Sequence, residues 1–266
     1  MIMWKAAAAL AVLVVSGGAL AGGAIGPTAE MRPGPSFAQW PALVLTGENT
    51  PPSSMLVNGW PTGYQTDKMH ALLQRAGVPY RIDIVPWKRA YVMAQREPNT
   101  CVYSTTRTPE REKQFKWIGP INSTDWILLG RAGQQYRLRS LDDARSLRIG
   151  TYNGDARGEY LRGRGFIVDA TQNDMANQQK LLLNRIDLWA VSVRTDSAML
   201  ERLTLGGKIV PVLTFNKVQL YLACNPSVPD ALVERLNATF ETLRRDGTLS
   251  RIDRDYNDRE DRSMQK

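Results

Sequence analysis

The sequence predicts an α/β fold built on mainly parallel sheets. Two observations carry this. Short β-branched and aromatic runs alternate with segments of helical periodicity along the chain, the pattern of strand–helix–strand units. The chain has 266 residues of ordinary globular composition, enough for one large domain or two of ordinary size.

The N-terminus stands apart. Residues 1–5 are short and positive, residues 6–15 are apolar, and Ala19-Leu20-Ala21 offers a small-residue cleavage site. Residues 1–21 therefore read as a secretory signal peptide, and 22–38 as a Gly/Pro/Ala-rich flexible leader. The alternative is an uncleaved anchor, for which the apolar run is short. No cysteine lies near the cleavage site, so no lipid anchor is expected.

A first strand is expected at 40–46, ended by Gly47-Glu48-Asn49-Thr50-Pro51-Pro52. Met69, Leu72, Leu73 and Ala76 then recur at helical spacing, and Gly77 closes that helix. Residues 80–85 alternate as a second strand, and Pro86-Trp87 opens the next helix. The strand at 101–104 runs into the hydroxyl-rich turn Ser104-Thr105-Thr106-Arg107-Thr108. Thr108 is a candidate helix N-cap, with Pro109 at the first helical position. Strands are expected at 125–130, 147–152, 166–169 and 188–193, with helices at 156–161 and 175–183 between them. Strands at 209–214 and 218–224 flank Asn216-Lys217. A helix at 230–245 turns Leu232, Leu236, Phe240 and Leu243 inward.

Composition excludes several classes of chemistry. The single histidine, His70, reads as a surface residue and rules out a His-based triad or a His-rich metal site, so no cofactor is expected. The net charge is +8, with arginines dense between 131 and 164. That suits anionic ligands or a membrane surface, or is simply a solvated face. No nucleic-acid motif accompanies it, so no nucleic-acid partner is expected. Cys101 and Cys224 either pair or remain as two buried thiols.

The stretch 101–120 carries the most chemistry. Ser104, Thr106 and Arg111 bring hydroxyls and a guanidinium together at a strand end. Arginine offers a planar fork of donors and the hydroxyls fill the remaining lone pairs, which suits a carboxylate. The alternative is a surface turn with a solvated arginine. Elsewhere, Asn153-Gly154-Asp155-Ala156 is a strand-to-helix corner rich in backbone N–H groups. Asp155 there either faces an amine or hydroxyl, or caps its own helix.

The segment Thr106-Arg107-Thr108-Pro109-Glu110-Arg111, followed by Phe115 and Pro120, resembles the bacterial extracellular solute-binding proteins of the polar amino-acid type. Asn58-Gly59 through Asp67, Ser140 to Ala144, Leu181 to Asp187 with Asn184 in place of a glycine, and Asp246-Gly247-Thr248 through Tyr256 resemble further landmarks of that family, in order. The resemblance spans 43–256. It implies a two-lobed periplasmic-binding-protein-like fold with two hinge crossings, near 121–124 and 214–217. Residues 39–121 with 217–266 would form one lobe and 122–216 the other.

The resemblance also implies site roles. Arg111 and Thr106 match the positions that hold a ligand carboxylate. Glu48 lies in the loop that lines the cleft, and Trp87 at a corner where a tryptophan either touches ligand or joins the core. The family's amine-binding carboxylate falls here on Ser192, and the next acid is Asp196. Asp155 stands where the family has a threonine. The resembled fold brings the strands of Cys101 and Cys224 together, which implies a disulfide. It also implies a monomeric, periplasmic protein that binds a small molecule and hands it to an inner-membrane ABC permease. A dehydratase-like enzyme on the same fold and an extracytoplasmic sensor or adaptor domain are the competing classes.

Overall fold

The computed structural model describes residues 40–194 and 199–264. The expected signal peptide and leader, and Asp196, lie outside the described residues. Among the described residues no helix is long and apolar enough to cross a membrane.

The first part of the chain runs β1 (Leu43–Gly47), a hairpin of β2 (Met55–Val57) and β3 (Trp60–Thr62), α1 (Tyr64–Ala76), β4 (Tyr80–Ile84), α2 (Trp87–Arg96) and β5 (Thr100–Thr106). Next come β6 (Lys116–Arg131), β7 (Arg148–Tyr152), α3 (Ala156–Arg162), β8 (Ile167–Thr171), α4 (Ala176–Leu182), β9 (Leu188–Val193) and α5 (Met199–Thr204). The chain closes with β10 (Ile209–Cys224), α6 (Asp230–Arg245) and α7 (Thr248–Met264).

Eight strands form one sheet in the order β4-β1-β5-β10-β6-β9-β7-β8. The pairs β4/β1 and β1/β5 at one end, and β9/β7 and β7/β8 at the other, are parallel. Every pairing of β6 and β10 is antiparallel. The sheet is covered on both faces at both ends, and the side-chain alternation shows it. Along β6, Ile127 and Leu129 enter one apolar cluster while Leu128 enters another; along β9, Trp189 and Val191 part from Leu188 and Ala190 in the same way. At the other end, α1 and α6 bury Leu72, Leu73, Leu236 and Phe240 against β1, β5 and β10, while α2 covers the opposite face with Trp87, Ala90 and Ala94. Gly77 ends α1 in the left-handed conformation (φ 67°) that glycine adopts most cheaply.

The structure departs from the sequence reading in identifiable places. The strand expected at 125–130 is the second half of a 16-residue strand. The strands expected at 209–214 and 218–224 are one 16-residue strand, with register shifts at Pro211/Leu213, Thr214/Asn216 and Leu220/Leu222. Asn216-Lys217 looks like a turn locally, but pairing with Trp126 and Asp125 holds it extended. Thr108 caps no helix: a turn follows, then a single 3₁₀ turn at Glu112–Gln114. His70 is half-buried, with Nδ1 2.7 Å from the Tyr80 hydroxyl. Cys101 and Cys224 face each other across β5 and β10 and are joined by a disulfide.

Candidate functional site

A cavity of about 250 Å³ lies where the ends of β1, β5, β7 and β9 meet the long strands. Glu48, Trp87, Ser104, Thr106, Arg111, Asp155 and Ser192, dispersed over 145 positions of sequence (192 − 48 + 1), all line it. The volume suits a small metabolite.

The wall from β1 and β5 rests on close backbone packing. Gly47 ends β1 directly over the Tyr103 ring, where any Cβ would lie 2.3 Å from ring carbon and oxygen. The Tyr103 hydroxyl is held by Ser54 (2.7 Å) and Thr66 (2.9 Å). Between the pairs Tyr221/Thr105 and Ala223/Val102, β5 has two residues, Tyr103 and Ser104, opposite Leu222 alone. This bulge puts Ser104 at φ 58°, and the Ser104 hydroxyl is buried without a hydrogen-bond partner among the described residues. Thr106 ends the strand, buried.

Arg111 is 1% exposed. Its Nε and Nη2 donate to Glu159 of α3 at 3.1 and 2.7 Å, and Nη2 also donates to the Gly154 carbonyl at 3.0 Å. The Tyr91 ring lies 4.7 Å from the guanidinium carbon. Nη1 is buried and has no partner among the described residues. Trp87 belongs to the apolar cluster under α2, so it is core as well as lining, and its Nε1 donates to Gly154 at 2.8 Å.

Asp155 takes the capping role. Its carboxylate accepts from the Arg157 backbone N–H at 3.3 Å and from Arg157 Nε at 2.8 Å. Arg157 is 4% exposed and also donates to the Ala190 carbonyl (3.0 Å) and to Asp174 (3.1 Å). Burial pushes the Asp155 carboxyl up, and Arg157 opposes that. Burial alone would lower the Arg157 pKa, but Asp155 and Asp174 hold it above its ordinary range. Asp155 is therefore occupied by an internal cation and is not a free acceptor for an amine. Ser192 shares a hydrogen bond of 2.8 Å with Thr124 of β6.

Glu48 differs from the other acids of the lining. Its carboxylate accepts from the Tyr152 hydroxyl at 3.2 Å, and it has no ion-pair partner among the described residues. Burial raises its pKa from 4.5 to about 7, Asp174 and Asp155 add to that, and the Tyr152 bond and Arg157 oppose it.

Sequence reasoning missed Tyr152, Arg157, Glu159, Asp174 and Arg194. One signal was present. Arg194 is two positions after Ser192 and so faces the same side of the strand line; it lines the cavity and donates to Asp253 and Asn257 of α7, each at 3.0 Å. Arg157 and Glu159 carry no signal of their own, because their roles depend on elements far away in sequence. Among the described residues no group of three or more His, Cys, Asp and Glu side chains is arranged to hold a metal ion.

Comparison with known proteins adds kinship to this geometry. The profile of the family described as "Bacterial extracellular solute-binding proteins, family 3" matches residues 43–259. The L-cystine-binding protein TcyJ of Escherichia coli (strain K12) is 22% identical over 211 residues, covering 78% of this chain and 79% of that protein. Among solved structures, a histidine kinase sensor domain with similarity to periplasmic binding proteins superposes with a TM-score of 0.71 at 20% identity, covering 80% of this chain and 95% of that one. An ancestral arginine-binding protein bound to arginine gives 0.67 at 21% identity, with coverage of 79% and 96%. The ancestral amino acid-binding protein AncCDT-1, a precursor of cyclohexadienyl dehydratase, gives 0.67 at 19%, with coverage of 81% and 95%. These structural likenesses concern the fold.

Proposed function

Because the chain belongs to the bacterial extracellular solute-binding proteins, family 3, we propose that it captures a small carboxylate-bearing solute, an amino acid or related organic acid, between two lobes. The lobes are residues 39–121 with 217–266, and 122–216. Delivery to an inner-membrane ABC permease from the periplasm completes the role.

One observation carries the reading. Arg111 Nη1 and the Ser104 hydroxyl are buried donors without partners among the described residues, on two residues that line the same cavity. A buried unmade hydrogen bond is costly, and a ligand carboxylate has acceptor oxygens to offer such donors. Glu48 supplies the other end. In its ionised form it meets a ligand ammonium, which takes over the task that Ser192 cannot perform. Kinship to proteins named for binding cystine and arginine agrees with a ligand of this class. Lobe closure would bring Trp87 and Arg111 onto Gly154, and Glu48 onto Tyr152.

The test is a thermal-shift panel of amino acids and small organic acids on the wild type, repeated on Arg111→Ala. Carboxylate-bearing compounds should raise the melting temperature of the wild type and leave the variant unmoved. A best compound without an acidic group, or one that stabilises both proteins equally, overturns the reading.

A second reading rests on Glu48. A carboxyl with a pKa of about 7 in a small cavity has the acidity of a general acid, and an elimination reaction on a small hydroxy acid would use one. Loss of a bound hydroxy acid on incubation, abolished in Glu48→Gln, would favour it.

A further inference from the structure

We propose that Glu159 is a specificity-determining residue of the cleft: it occupies one side of the Arg111 guanidinium and so selects ligands bearing one carboxylate over those bearing two. The inference rests on the reading of Arg111 as the ligand's carboxylate partner.

A guanidinium has five N–H donors in one plane. On Arg111, Nε and Nη2 both converge on a single oxygen of Glu159, and Nη2 is shared with the Gly154 carbonyl. Tyr91 lies 4.7 Å from its carbon. The Nη1 edge is what remains for a ligand. An incoming carboxylate therefore meets a cation already paired once, and binds it through one nitrogen rather than through the fork.

The rest of the lining sharpens the effect. A second ligand carboxylate would need another cation, and the other two lining arginines are engaged: Arg157 by Asp155 and Asp174, Arg194 by Asp253 and Asn257. Glu48, Asp155 and Asp174 add negative charge around the same space. A zwitterion escapes this penalty, because its ammonium meets Glu48.

Glu159 is open to substitution without disturbing the core, since its side chain is 48% exposed. Gln at this position keeps an oxygen for Nε and Nη2 and removes only the charge. The probes are two isosteric pairs, L-glutamate with L-glutamine and L-aspartate with L-asparagine, titrated by calorimetry into wild type and Glu159→Gln at low salt. The ratio of dissociation constants within a pair cancels any change in folding stability. It should move toward the acidic member by roughly three- to tenfold in the variant, the modest size reflecting the exposure of Glu159. The shift should shrink as salt rises.

An unchanged ratio, or a move toward the amide, overturns the proposal. If Arg111→Ala loses these compounds while the ratio stays fixed, only the role of Glu159 falls. If Arg111→Ala binds them normally, the carboxylate reading and the proposal fall together; if none of the four binds the wild type, the proposal alone falls.

Discussion

At pH 8 the substitution Glu48→Gln should stabilise the protein, and at pH 4 it should not. Glu48 ionises near pH 7 in the folded state and near 4.5 when exposed. Below about 4.5 both states hold the proton and the group contributes no difference. Between 4.5 and about 7 the folded state keeps a proton that the unfolded chain has lost, so stability falls as pH rises through that window. Above about 7 the full cost of burying the charge is present. At 1.36 kcal/mol per pH unit the gap is worth about 3 kcal/mol. Solvent reaching a partly exposed carboxylate trims this to about 2 kcal/mol. Glutamine keeps an acceptor for the Tyr152 hydroxyl and carries no charge. The assay is thermal unfolding of both proteins from pH 4 to pH 9 without added ligand. Near pH 8 the variant should melt roughly 4–8 °C higher, and the two curves should converge toward pH 4. A constant offset across the range, or a variant less stable at pH 8, would refute the argument that Glu48 sits as an uncompensated buried acid.

Three further outcomes follow from the same contacts. Arg111→Lys should recover little of the binding lost in Arg111→Ala, because a single ammonium cannot serve Glu159, Gly154 and a ligand together; calorimetry on the best wild-type compound reads this. Arg157→Ala should cost about 3–5 kcal/mol in urea unfolding, since it strands the Asp155 and Asp174 carboxylates; a loss under 1 kcal/mol would show the cluster to be open to water. Replacing Cys101 and Cys224 together by alanine opens a loop of 123 positions and should cost up to ~4–5 kcal/mol on the chain-entropy account, read as a lowered urea midpoint absent from reduced wild type compared with the same variant.

Much of the site was legible because its residues sit at strand ends, where local sequence announces a turn. Glu48 and Arg111 follow strands that β-branched residues mark plainly, Ser104 and Thr106 lie in the last residues of one, and all line the cavity. Asp155 was legible in position and in its capping role, but not in its ion pair with Arg157. Nothing near 155 reveals that Arg157 gathers Asp174 from beyond the next strand and the Ala190 carbonyl from β9. The unbroken course of β6 and β10 was hidden for a related reason. Asn216-Lys217 reads as a break between two strands, and only pairing with Trp126 and Asp125 carries the strand through it. The β2/β3 hairpin, with Trp60 77% exposed, lacks the buried alternation by which strands are recognised.

The antiparallel ribbon of β6 and β10 also dictates an order of assembly. The sheet end made of β7, β8 and β9 lies within one continuous stretch of chain, so it needs only local closure to form its core. The opposite end cannot be finished early. β5 waits for β10, and Leu72 and Leu73 of α1 wait for Leu236 and Phe240 of α6, more than 160 positions later (236 − 73 = 163). Contacts of such long sequence separation form slowly. A chain emerging from its N-terminus could pair β1 with β4 and β5 at once, but would keep the other edge of β5 open and α1 without α6 until the last third arrived. Cys101 and Cys224 meet at that same late moment, so formation of their bond reports arrival of the final strand.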